Sequence, residues 1–462
     1  MRILTWLPAL VALLAGCGPG PETAPSGPPR ADVLLVTLDT LRADHLGVHG
    51  AGADATPALD AWAQDAVVFE RALAASSRTA PSHATLFTSR WVAGHAIGYR
   101  NGATRLANEA TLAALLAAAG YETAAFVSNA MLRRRVGLDA GFAHYDDVLP
   151  DSETNRPVFE RVAGKTTRRA IAWLERPRRG PVPRFLWVHY NDPHGPYTPP
   201  ERWVRPPAGE PETPLPLLAQ QRGLGGIPAY QAFGDEREAR QYRARYAGEI
   251  RYLDGSLGRL LAAAEEQAGA AGVVVAITAD HGESLGEDGI WFSHGHGTAP
   301  NLAHVPLLLR ADGLPATRVR EPVHHVDLLP TLLEQVGLPV PPGARGVALG
   351  PVVRGEATLP ADRPLYVDVG AEVSVYRGDV FLRARFGKNV GAVAEGSREA
   401  FRWSDGASWQ PLADDALRAE LSALAEAYDA ERETLRFADA PSDQDESRLR
   451  ALGYLEPLPA GD

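Results

Sequence analysis

The chain has 462 residues, 45% of them apolar and 22% charged, and a formal net charge of -11. That balance excludes a disordered or low-complexity protein and provides core enough for two or three domains, or for one large α/β domain with an appendage. The acidic excess excludes a broad nucleic-acid surface, so an anionic substrate would have to be captured by a local positive site such as a metal ion.

The first residues combine a positive start, a short apolar run and small residues before a break. This reads as an export signal, too short to span a bilayer. Leu14-Ala15-Gly16-Cys17 resembles the lipobox of bacterial lipoproteins, which implies acylation of Cys17, the only cysteine in the chain. The expected product is an exported protein, periplasmic or at the cell surface, tethered to the membrane through lipidated Cys17. Residues 1–17 are then the signal and 18–30, rich in Pro and Gly, a flexible leash. With one cysteine the chain has no internal disulfide, so its fold rests on packing and any bound metal.

From residue 31 the pattern is that of a parallel sheet buried on both faces. The run from Ala31 to Leu38 is almost wholly apolar and ends in Asp39, at the strand end where open α/β sheets place ligands. Taken singly, Asp39 serves equally as a turn or cap residue. A helix starts at Thr56-Pro57, and a short strand at Val67-Val68-Phe69 leads into Thr79-Ala80-Pro81-Ser82-His83. There a hydroxyl residue precedes a proline suited to a first helical turn, beside free N–H groups that could hold an oxyanion. Alone, Thr79 reads as an ordinary cap.

Further on, 111–119 is expected as a helix stopped by Gly120, 123–128 as a strand, and 158–174 as a helix with a solvated basic face of Arg161, Lys165, Arg168 and Arg169. Residues 184–194 form a strand ending in Asp192-Pro193-His194. The Pro/Gly-rich stretch 195–232 reads as a long surface excursion, of the kind that is either a functional lid or disordered, and 239–266 as a long amphipathic helix. The apolar run from Val273 to Ala279 then enters Asp280-His281-Gly282-Glu283. Five histidines (His194, His281, His294, His296 and His304) sit beside these strand ends. Two buried strands ending in acids, one continuing Asp-His, point to a metal site. After about residue 366 the texture changes to a hairpin over 373–386, a strand near 401–403 and an exposed helix over 416–433.

Taken together, Leu38-Asp39-Thr40-Leu41-Arg42-Ala43-Asp44, the Thr79 stretch, Asp192-Pro193-His194-Gly195-Pro196-Tyr197, the run ending in Glu283, Val305-Pro306-Leu307 and the closing Leu452-Gly453-Tyr454 resemble the sulfatase family of the alkaline-phosphatase superfamily. The resemblance implies a mixed, mostly parallel sheet sandwiched by helices over 31–355, and a small C-terminal α+β subdomain over 356–462. It also implies a metal-dependent ester hydrolase. Sulfatases carry C-x-P-S-R or S-x-P-x-R, whose first residue becomes formylglycine. Here that position is Thr79 and the arginine is His83.

Asp39, Thr79, Asp280 and His281 match the metal set of threonine-dependent relatives such as nucleotide pyrophosphatases. The resemblance thus implies one divalent ion, Zn²⁺ first and Mn²⁺ or Ca²⁺ as alternatives, with a second metal at Asp192 and His296 left open. His194 and His294 are expected to hold non-bridging oxygens or protonate the leaving group. The expected reaction is cleavage of phosphate or phosphonate esters, or phosphoryl transfer, by a Thr79 nucleophile. The alternatives are a sulfatase working without formylglycine and a non-catalytic envelope-binding lipoprotein. The expected substrate is a small-molecule or envelope glycan ester.

Overall fold

The computed structural model describes residues 30–433, apart from 96, 98–105, 107–109, 208, 388–393 and 405–407. Cys17, nearly all of the 18–30 leash and the Leu452-Gly453-Tyr454 motif lie outside the described residues. Among those described, no helix is long and apolar enough to cross a membrane.

A nine-stranded sheet occupies the centre. Its strands are β1 (Asp32–Leu38), β2 (Val67–Leu73), β3 (Glu122–Phe126), β4 (His144–Asp146), β5 (Arg184–Tyr190), β6 (Val273–Ala279), β7 (His304–Arg310), β8 (Thr317–Val319) and β9 (Val323–His324). They lie in the order β8-β2-β7-β6-β1-β5-β3-β4, with β9 also against β2. β7 runs antiparallel to β6 and β2, and the other pairings are parallel. Every residue of β1 and β5 is buried, which explains their largely apolar sequences.

Helices flank the sheet in two groups. α1 (Pro57–Ala63), α4 (Ala163–Leu174) and α5 (Ala239–Glu266) pack together, as do α2 (Thr79–Thr88), α3 (Leu112–Ala118) and α6 (Leu328–Gln335). Thr111 caps α3 through its hydroxyl, and Gly120, at φ 89°, provides the left-handed residue that ends it.

A second, antiparallel sheet follows: β10 (Leu365–Asp368), β11 (Glu372–Arg377), β12 (Val380–Arg385), β13 (Arg398–Trp403) and β14 (Trp409–Pro411), in that order. It is stitched to the segment before α2, where Asp368 N donates to Ala75 O and Ser76 Oγ donates to Asp368 O (2.9 and 2.6 Å). α7 (Asp415–Glu433) is not the exposed helix expected. Leu421 and Ala425 are buried against Val375 and Leu382 of this sheet, and Tyr428 stacks on Tyr366 at 4.4 Å.

One other expectation is corrected. The helix expected over 158–174 begins only at Ala163, and Arg161 is not solvated. It is fully buried, donating to Asp146 Oδ1 (3.0 Å) and to the Val127 carbonyl (2.9 Å), a long-range pairing that satisfies its charge inside. The 195–232 excursion is anchored: Tyr197 and Gln231 are buried, and Gln231 donates to the Phe292 carbonyl.

Candidate active site

In register, Leu38 of β1 lies between Ala279 of β6 and Tyr190 of β5. The residues that follow these three strands, Asp39, Asp280 and Asn191, therefore emerge side by side at one sheet edge. Asp39 N donates to Tyr190 O and Asp280 N to Leu38 O, which fixes the stagger. β2 runs in the same direction, and α2 begins six residues after its end, so Thr79 reaches the same edge.

Thr79 is not the cap of α2. Arg78 holds that place, Thr79 is the first helical residue, and all ten residues of the helix are buried. Its Oγ1 lies 3.5 Å from His281 Nε2. Pro81 has no N–H and Ser82 N bonds Arg78 O, so the Thr79 and Ala80 amides are the free donors of this helix end.

The donor set around His281 is defined by which atoms have partners. His281 Nδ1 lies 2.9 Å from the Gly282 carbonyl and must carry the proton there, leaving the Nε2 lone pair free. Asp280 Oδ1 accepts from the Thr40 and His281 amides, whereas its Oδ2 has no partner. Asp39 Oδ2 accepts from Asn129 Nδ2 at 2.7 Å, whereas its Oδ1 has none. The two orphaned oxygens stand 3.9 Å (Asp39) and 3.7 Å (Asp280) from His281 Nε2. Buried orphans of this kind are costly unless a cation completes them. Burial pushes the Asp39 carboxyl up to about 7 against the pull of His281 and Asn129, and burial together with Asp39 raises Asp280.

Thr40, between Asp39 and the next turn, has φ 58°, an unfavourable conformation for a β-branched residue. It is held there by Tyr246, whose hydroxyl donates to the Thr40 carbonyl at 2.7 Å. The strain fits a segment fixed by its surroundings to present Asp39 and to aim the Thr40 amide at Asp280.

Among the described residues a second group with metal-ligand geometry is His83, His189 and Asp280. His83 is already committed on both ring nitrogens, Nδ1 to the Thr79 carbonyl (2.8 Å) and Nε2 to Thr37 Oγ1 (3.0 Å). It cannot ligate without giving up one of these hydrogen bonds. Neither group includes Asp192 or His296, and Asp192 Oδ2 instead accepts from the Ala163 amide at the start of α4. The second metal left open at Asp192 and His296 thus has no cluster behind it.

The two histidines expected in proton transfer do come to the site. The His294 ring lies 4.6 Å from that of His281 and 5.0 Å from that of His194. His294 Nδ1 lies 3.2 Å from Glu283 Oε1, and Tyr197 donates to Glu283 Oε2 at 3.0 Å. Burial raises Glu283 to about 8 and lowers His294 to about 4. His194 Nδ1 is buried without a partner, and burial holds the ring well below the usual histidine range. His304, grouped with these by sequence, is elsewhere: its Nε2 is 2.9 Å from the Glu70 carbonyl and its ring meets Trp403 edge-on.

Sequence reasoning missed the polar groups that hold this set. Asn129 Nδ2 donates to Asp39 Oδ2 and to Asn191 Oδ1 (3.0 Å), and Asn191 Nδ2 donates to Glu160 Oε2 (2.6 Å). This chain of amides turns one Asp39 oxygen inward and leaves the other free. Asn129 lies three residues beyond the end of β3, on the same sheet edge, and caps the turn that follows through its side chain.

Comparisons with known proteins identify the family and the fold. The Sulfatase family profile matches residues 31–338. Iduronate 2-sulfatase of Homo sapiens is 27% identical over 427 residues, covering 74% of this chain and 75% of that protein. Among solved structures, the phosphonate monoester hydrolase SpPMH from Silicibacter pomeroyi superposes with a TM-score of 0.65 at 23% identity, covering 87% of this chain and 95% of that one. A putative sulfatase from Bacteroides thetaiotaomicron gives 0.67 at 22% identity, covering 89% and 95%. With the strand-end carboxylates, the Thr79 helix and the profile match in one frame, the chain belongs to the sulfatase family and is a hydrolase of the alkaline phosphatase superfamily.

Proposed function

We propose that the enzyme cleaves phosphate or phosphonate esters through Thr79, with one divalent ion held by Asp39, Asp280, His281 and Thr79. The observation that carries this reading is the 3.5 Å approach of Thr79 Oγ1 to His281 Nε2 beside two orphaned carboxylate oxygens. Two carboxylates, an imidazole and a hydroxyl favour Zn²⁺, with Mn²⁺ second. The separations of 3.5, 3.7 and 3.9 Å from His281 Nε2 exceed only slightly the edge, about 3.4 Å, of a tetrahedron with zinc-ligand arms of about 2.1 Å. Ca²⁺ asks for roughly six to eight oxygens and suits this set poorly. Such an ion would act as a Lewis acid and lower the pKa of the threonine hydroxyl.

The chain's own groups account for the rest. Thr79 Oγ1 attacks phosphorus as the bond from phosphorus to the departing alcohol breaks, giving a phosphothreonine. His294 or His194, held neutral at rest by burial, takes the Thr79 hydroxyl proton and hands it to the leaving oxygen. Water then attacks phosphorus, the bond to Thr79 Oγ1 breaks, and phosphate or phosphonate leaves; an acceptor alcohol in place of water would make the reaction a transfer. The free amides of Thr79 and Ala80 face the negative charge at the helix end. A sulfated threonine offers no comparable exit, because clearing it requires attack at sulfur where a formylglycine hydrate eliminates sulfate. The sequence has no formylglycine precursor at position 79, and its single cysteine is Cys17.

A second reading, sulfate-ester hydrolysis without formylglycine, is favoured by relatives such as the human iduronate 2-sulfatase. Protein lacking residues 1–17 is assayed for bound metal and for turnover of aryl phosphate, phosphodiester, phosphonate and sulfate esters. Turnover of a phosphorus ester above sulfate, lost in Thr79→Ala, is expected. Sulfate turnover above every phosphorus ester would overturn the proposal. In the same reading, a lipid on Cys17 places the enzyme at the cell envelope, where ester-bearing glycans and lipids are at hand.

A further inference from the structure

A short antiparallel pairing sets Ser284 opposite Ser293, and continuing that register places Glu283 directly across from His294. The contact is made: Glu283 Oε1 lies 3.2 Å from His294 Nδ1, and Oε2 accepts from Tyr197 at 3.0 Å. Among the described residues, neither group with metal-ligand geometry includes Glu283. The segment carrying His294 is pinned from two sides. Phe292 has φ 50°, an outlier for so bulky a residue, and its carbonyl accepts from the Tyr230 hydroxyl and Gln231 Nε2, both at 3.0 Å. Its ring stacks on that of Tyr242, with centroids 4.9 Å apart. On the other side, Arg78 Nε donates to Gly295 O (3.0 Å) and Ser77 Oγ to Gly297 O (2.6 Å). These bonds tie the loop after His294 to the residues leading into Thr79. No hydrogen bond from the described residues reaches His294 Nε2.

We propose that Glu283 is the positioning residue of His294: it holds Nδ1 and so leaves Nε2 as the ring nitrogen that takes the Thr79 proton and returns it to the leaving oxygen. The inference rests on the ester-hydrolase reading of the site. It selects His294 over His194, whose Nδ1 has no partner to fix its tautomer. In the working form Glu283 is a carboxylate and the proton between the two groups lies on Nδ1. Nε2 accepts the proton of Thr79 Oγ1 as the bond from Oγ1 to phosphorus forms. The imidazolium keeps its Nδ1–H on Glu283 and gives the Nε2 proton to the departing oxygen, so the ring ends neutral and the carboxylate unchanged. Burial opposes the ionised form of Glu283, whereas His281, Tyr197, the Ser284 amide and Arg42 favour it.

The test compares kcat on 4-nitrophenyl and phenyl esters of one phosphonate, the second alcohol needing a proton to leave, with the matching sulfates run beside them. Glu283→Gln is expected to lower kcat on the phenyl ester by about a hundredfold or more, with KM within about twofold and bound metal unchanged. On the 4-nitrophenyl ester the loss is expected to be at least about tenfold smaller. In a His294→Gln background the same substitution should cost less than about twofold, because the two residues act as one unit. Wild-type kcat on the phenyl ester, equal losses on the two esters, or a loss as large in the His294→Gln background overturns the proposal. So does loss of the metal from Glu283→Gln. Should that variant fail to fold, nitrogen NMR of histidine-labelled wild type decides, with His294 assigned by the signal missing in His294→Gln. A proton on Nδ1 is expected, and a ring protonated on Nε2 alone overturns the proposal. If only the sulfates react, the phosphorus reading of Thr79 fails while the coupling of Glu283 to His294 is still measured within the sulfate pair.

Discussion

Two buried polar clusters, one in the C-terminal sheet and one at the edge of the central sheet, are built on opposite terms. In the C-terminal sheet, Glu372 Oε1 accepts from the Thr298 amide and hydroxyl (2.9 and 2.7 Å), and its Oε2 accepts from Arg385 at 2.9 Å. Both of its oxygens are satisfied by the chain. At the sheet edge, Asp39 and Asp280 each bond the chain through one oxygen and keep the other bare, aimed at His281 Nε2. A closed cluster holds the fold together; an open one is completed by something the chain does not contain. Charge alone would not separate the two, whereas the unsatisfied carboxylate oxygens do.

That contrast can be broken at its strongest point first. Thr79→Ala is expected to lower kcat by at least about a thousandfold while the fold survives, as for loss of a covalent nucleophile. Wild-type turnover by this variant would make the open cluster a binding site only. Removing a partner from the closed cluster should act on stability instead. Arg385→Ala is expected to cost about 3–5 kcal/mol in urea unfolding, by stranding Glu372, with metal stoichiometry unchanged. The mirror substitution Asp280→Asn should abolish metal binding and leave the metal-free protein no less stable, because it removes an uncompensated acid.

Asn129→Ala sharpens the comparison. It frees the Asp39 oxygen that now faces inward, and should weaken metal affinity by about 10–100-fold, measured by chelator competition, with the ligands themselves intact. An unchanged affinity would show that the amide chain does not orient Asp39.

The smallest effect concerns histidines outside both clusters. Burial lowers His49 and His95 to about 3 and His304 to about 4. Their folded pKa values lie below the unfolded value, so the unfolded chain binds more protons between roughly pH 6.5 and 4, and stability falls as pH drops through that window. At pH 5.5 each should cost about 1 kcal/mol against pH 7.5. Because raised carboxyls such as Asp39 and Glu283 act in the opposite sense, the check is His304→Gln, which should remove about that much of the pH dependence of the urea midpoint; an unchanged dependence would contradict this.

The sheet and the acids at its strand ends were legible because apolar runs ending in Asp39 and Asp280 carry a local signal. The wider frame was legible through the motifs shared with the sulfatase family. What could not be read depends on partners distant in sequence. Arg161 fits a helical basic face by periodicity and is buried only because Asp146 and the Val127 carbonyl meet it. His83 stands where a family arginine would and reads as a loss. In the fold it joins the Thr79 carbonyl to Thr37, which also receives the Trp187 indole N–H. Glu160 and Asn191 are separated by 31 positions and are joined by one hydrogen bond, which no local pattern encodes.

The central claim, that Thr79 is the nucleophile toward phosphorus, is tested most directly by rapid quenching during turnover of a phosphodiester, followed by peptide mass mapping. A phosphoryl group is expected on Thr79 within the peptide spanning α2, absent from Thr79→Ala. Steady turnover with no adduct at Thr79, in protein whose metal is fully loaded, would contradict it.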